Sequence, residues 1–63
     1  MKTAKQMAKD VRKWVKANGM EHSITALEFA TFVTHYTRIR ERGTRKERAL
    51  LIASWGMRSK IAA

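Results

Sequence analysis

TALEFATFVTHYTRIRERG, residues 25–43, admits two readings, and the choice between them decides the fold. Thr25, Thr31, Thr34 and Thr37, with Phe29, Phe32, Val33, Tyr36 and Ile39, give the stretch strong β-propensity. A strand needs strict alternation, and the alternation fails. Placing Leu27, Phe29, Val33 and Ile39 on one face sends Phe32 and Tyr36 to the other. A helix gathers Phe29, Phe32, Val33, Tyr36 and Ile39 at i, i+3, i+4, i+7 and i+10 into one apolar face. Thr25 and Glu28 have the spacing of a capping box, and Gly43 supplies a stop. The spacing therefore predicts a helix over 25–42.

The flanking segments agree with an all-α chain. Ala4, Met7, Ala8, Val11, Trp14 and Val15 form one helical stripe, with Thr3 as N-cap and Asn18-Gly19 as stop, so a helix is expected over 3–18. Residues 19–24 read as a loop. A third helix is expected over 45–55, opened by a second capping box, Thr44 with Glu47, and apolar around most of its circumference. Gly56 is expected to break it, leaving a short C-terminal turn. The expected architecture is a compact three-helix bundle in one small domain, residues 1–63. Its expected core is Met7, Val11, Trp14, Val15, Leu27, Phe29, Phe32, Val33, Tyr36, Ile39, Leu50, Leu51, Ile52 and Trp55.

A chain of 63 residues buries only about 60% of its unfolded surface, so its core is small. With no cysteine, disulfides and thiolate metal sites are excluded. His22 and His35 stand apart from grouped carboxylates, and neither a metal nor a cofactor is expected. His35 reads as a partly exposed residue on the polar side of its helix. Helix packing, or self-association into a homodimer, remains to support the fold. No apolar run approaches the ~18 residues of a membrane span, and the start carries no secretory pattern, so a cytoplasmic location is the expectation.

Charge is the functional signal. Lys and Arg number 14 against 5 Asp and Glu, a net of +9. Residues 1–20 carry a net of +5, residues 21–42 none, and residues 43–63 a net of +4. Such an excess on a short chain is costly self-repulsion unless an anionic partner relieves it. Lys5, Lys9, Arg12, Lys13 and Lys16 fall on the side of the first helix opposite its apolar stripe. A solvated face ordinarily mixes both signs, and this one offers only Asp10, spaced to pair with Lys13. The second cluster, Arg38, Arg40, Arg42, Arg45, Lys46 and Arg48, surrounds Gly43-Thr44. Arginine recognises phosphate through a bidentate fork, and Thr44 adds a hydroxyl at a helix start. Residues 49–61, ALLIASWGMRSKI, resemble the turn of a helix–turn–helix motif, which would put Arg58, Ser59 and Lys60 on a second helix.

Catalysis finds no support. The five carboxylates are dispersed, no nucleophile has a base at useful spacing, and the three glycines are too far apart for a phosphate loop. The expected function is nucleic-acid binding by a small regulator or accessory factor of the size found in bacteria and phages. Lys5, Lys9, Arg12, Lys13, Lys16, Arg38, Arg42, Thr44, Arg45, Lys46, Arg58 and Lys60 would carry it. Duplex DNA is favoured over RNA and single strands, because every aromatic side chain reads as core. The alternative is a protein-binding inhibitor or adaptor that docks on an acidic surface of a larger enzyme. A membrane partner is not expected, because the apolar side of the first helix is needed for the core.

Overall fold

The computed structural model describes the backbone of residues 3–61 and the side chains of residues 3–56. It is an all-α bundle: α1 spans Ala4–Ala17, α2 Ala26–Glu41 and α3 Lys46–Ile61. The Cα radius of gyration, 10.8 Å, is what a folded chain of this length should have, about 11 Å. The helix reading of residues 25–43 therefore prevails. Three threonines that favoured a strand are accommodated by bonding back along the helix. Thr31, Thr34 and Thr37 donate their hydroxyls to the carbonyls of Leu27, Ala30 and Val33 at 2.9, 3.0 and 2.7 Å.

Local chemistry sets the ends. Thr3 Oγ1 accepts from the Gln6 N–H at 3.2 Å. Thr25 and Glu28 form the capping box in full, at 2.9 and 3.1 Å. At the end of α1, Gly19 takes φ +66°. The Gly19 and Met20 N–H groups bond the carbonyls of Lys16 and Val15, which satisfies orphan acceptors. Gly43 repeats the device after α2 with φ +93°, its N–H on the Arg40 carbonyl at 2.9 Å.

α2 is the central element, with α1 and α3 both packed on it. Phe32 and Tyr36 are fully buried, and Met7, Val11, Val15, Ala49, Leu50 and Ala53 close around them. Trp14 meets Phe32 edge-on at 5.3 Å between centroids. Two alanines, Ala49 and Ala53, face α2 and let α3 lie close to it.

Three expected core residues lie outside. Leu27 is 78% exposed, Trp55 56% and Leu51 45%. Leu27 sits about 140–180° around α2 from Phe32 and Tyr36, and Leu51 about 160° around α3 from Ala49 and Ala53. A helix apolar on every side cannot bury every side in a bundle this small. Met20 and Ile24 lie in the expected loop and also pack against the core.

α3 also differs in its bounds. It starts at Lys46, and the Arg45 carbonyl accepts its first bond, from the Ala49 N–H at 2.8 Å. Arg45 is thus the N-cap, and Glu47 stands one position too early to close a box with Thr44. Nor does Gly56 break the helix, which continues to Ile61. The glycine costs helix stability without ending it, since the packing of Ala49, Leu50 and Ala53 in the core outweighs one weak propensity. The expected helix–turn–helix turn is therefore absent, as residues 49–61 form part of one continuous helix.

Candidate nucleic-acid interface

α1 positions the first set of cations. Its apolar stripe docks on α2, so the opposite side turns outward. Lys5, Lys9, Arg12, Lys13 and Lys16 are all exposed and share an arc of about 100°. Lys9, Arg12, Lys13 and Lys16 border one shallow depression of about 210 Å³. Among the described residues none of the five forms an ion pair.

Asp10 does not pair with Lys13 as the spacing suggested. It is turned inward and only 6% exposed. Its Oδ2 accepts from the Tyr36 hydroxyl at 2.8 Å, Oδ1 lies 3.8 Å from Lys46 Nζ, and Gln6 Nε2 approaches Oδ1 at 3.4 Å. The one carboxylate of α1 is thus spent on holding the three helices together. The arc contains three like-charged i,i+4 pairs, Lys5/Lys9, Lys9/Lys13 and Arg12/Lys16, and two i,i+3 pairs. At about 0.2–0.5 kcal/mol each, they cost the helix roughly 1–2.5 kcal/mol in dilute salt.

The second cluster divides. Arg38, Arg42, Arg45 and Arg48 are exposed. Lys46 reaches toward Asp10, its Nζ 3.8 Å from Oδ1, which links the start of α3 to α1 through a side chain. Arg40 turns inward: Nη1 donates to the Thr44 carbonyl at 3.0 Å, and Nε is buried with no hydrogen-bond partner among the described residues. Thr44 is half-buried. Arg40, Lys46 and Thr44 therefore shape the corner between α2 and α3, while the four outer arginines remain available to a ligand. Arg58 and Lys60 have side chains outside the described residues.

The fold clearly alters the titration of Tyr36. Burial, reinforced by the Asp10 carboxylate, pushes its hydroxyl from 10.0 up to about 12, against a smaller opposing pull from Arg40. The phenol therefore stays protonated as a donor to Asp10 throughout the neutral range.

Beside the α1 arc is a feature that sequence reasoning missed. A cleft of about 240 Å³ opens between α1, the loop after it and the start of α2, lined by Arg12, Val15, Lys16, Glu21, Ile24 and Phe29. Arg12 holds its guanidinium 5.7 Å from the centre of the Phe29 ring. Periodicity placed Val15 and Phe29 in the core, but not at its edge. Arg12 at position i−3 from Val15 was the available sign that the stripe borders on charge.

Comparison with protein-family models, curated protein sequences and solved structures finds no match to this chain. No helix among the described residues is long and apolar enough to cross a membrane. The described residues also contain no group of three His, Asp or Glu side chains that could hold a metal ion.

Proposed function

We propose that this protein binds nucleic acid by its phosphates, as a small DNA-binding regulator or accessory factor. One observation carries the reading. Five exposed cations share one arc of α1 while the only carboxylate of that helix is turned inward onto Tyr36. A like-charged surface that weakens its own helix is relieved when phosphates replace the missing anions. Arg38, Arg42, Arg45 and Arg48 extend the grip at the α2–α3 corner, with Lys46 joining the corner to α1.

The test is a titration with duplex DNA of random sequence over a range of salt. If about six phosphates are neutralised, the log–log salt slope is near −5. Lys9→Glu with Lys13→Glu abolishes binding and leaves helicity unchanged. Retained affinity in that variant removes α1 from the interface.

A second reading has its own support. Leu51 and Trp55, a turn apart and exposed, stand with Arg48 on the outer side of α3. Apolar anchors beside an arginine suit an acidic protein surface. Absence of DNA binding at low salt would eliminate the first reading and leave this one.

A further inference from the structure

We propose that the cleft between α1 and the start of α2 receives a nucleobase of single-stranded nucleic acid, whose phosphates lie along Lys9, Lys13 and Lys16. The inference rests on phosphate binding by the α1 arc and adds the class of strand.

Three observations carry it. First, the cleft and the arc are continuous. Arg12 and Lys16 line the cleft of about 240 Å³ and also the cationic depression beside it. A chain whose phosphates follow the arc therefore passes the mouth of the cleft.

Second, the interior suits a base and not a phosphate. Val15, Ile24 and Phe29 give it apolar walls that would desolvate a phosphate and suit a ring. Glu21 can accept from an exocyclic amino group, and Arg12 and Lys16 offer countercharge to the phosphates flanking the base. The volume is below the roughly 300–1,000 Å³ of sites that enclose a drug-sized ligand, and is sufficient for one ring system.

Third, the aromatic face is already used for stacking, by Arg12 at 5.7 Å. That contact pairs an exposed guanidinium with a half-buried ring, and such surface cation–π pairs are weaker than base–aromatic stacking. A base can displace the guanidinium, which then swings to a phosphate. A duplex makes this exchange only by extruding a base, at an unstacking and unpairing cost that a single strand does not bear.

The exposure of Trp55 points the same way. Single strands rank below duplex DNA only if every aromatic is core-bound, and Trp55 is 56% exposed.

The experiment compares a labelled, unstructured strand with the same strand annealed to its complement, titrated into the intact protein. Phe29→Leu keeps the apolar bulk and removes the π-face. It is expected to weaken strand binding by about 5- to 100-fold and to change duplex binding less than about 2-fold. Phe29→Tyr is expected to restore strand binding. In the unmodified protein, NMR should show ring-current shifts at the Ile24 methyl groups on adding the strand and none on adding the duplex. Equal binding of strand and duplex, with no shift at Ile24 and no effect of Phe29→Leu, overturns the base cleft and leaves the phosphate grip standing. Absence of binding to either form overturns both. Strand binding that perturbs Trp55 but not Ile24 also overturns the cleft, in favour of α3.

Discussion

The Tyr36 hydroxyl donates to Asp10 Oδ2 at 2.8 Å, joining α1 to α2 across 26 residues of sequence. Both groups are buried, and Lys46 of α3 approaches the same carboxylate. A buried carboxylate that loses a donor keeps its desolvation cost. Tyr36→Phe is therefore expected to destabilise the fold by about 1.5–3 kcal/mol, read from urea unfolding at neutral pH. The pH dependence has a definite sign. Tyr36 titrates at about 12 in the fold against 10.0 for a free phenol, so folding favours the protonated form. Its contribution is complete below pH 10 and is lost as pH rises through about 12. The informative quantity is the gap between the parent and Tyr36→Phe at each pH, in which effects common to both proteins cancel. That gap should narrow above pH 10.

The glycines separate by backbone conformation. Gly56 lies inside α3, is exposed, and a Cβ built on it meets nothing within 4 Å. Gly56→Ala should stabilise the protein by about 0.5–1 kcal/mol. Gly43 has equal space but φ +93°, so Gly43→Ala should cost about 1–2 kcal/mol through strain alone. Thermal melts of the two variants should move in opposite directions. A loss of stability in Gly56→Ala would contradict a continuous α3.

Two leucines with the same apparent status should behave differently. Leu50 is 5% exposed, and Leu50→Ala should cost about 2–5 kcal/mol. Leu27 is 78% exposed, and Leu27→Gln should stay within about 0.5 kcal/mol of the parent. Chemical denaturation measures both.

The capping box at α2 gives a local test. Thr25 Oγ1 accepts from the Glu28 N–H, and Glu28 Oε1 accepts from the Thr25 N–H. Thr25→Ala should lower stability by about 0.5–2 kcal/mol, with hydrogen exchange accelerated at the first turn of α2. Thr25→Ser should largely preserve it.

Much of the fold was legible from residues 3–43, because each boundary there has its own chemistry: Thr3, Asn18-Gly19, Thr25 with Glu28, and Gly43. α3 was harder to read. Its sequence is apolar on nearly every side, so periodicity could not separate Leu50, which is buried, from Leu51 and Trp55, which are not. Only the position of α2 makes that choice. The α1 cations were legible, because opposition to a stripe is a property of one helix. The inward turn of Asp10 was not, because its partners, Tyr36 and Lys46, belong to other helices and spacing within α1 pointed to Lys13. The cleft beside Phe29 was hidden for the same reason: a gap between elements has no signature within any of them.

Placing α2 at the centre also bears on how quickly the chain folds. Each outer helix rests on its neighbour in sequence. Such local topologies usually assemble in microseconds to milliseconds. The tie from Asp10 to Lys46 instead links α1 to α3 past the whole of α2, and its loop closes only after the helices meet. This polar knot should be the last part to form, governing how slowly the finished bundle comes apart more than how fast it gathers.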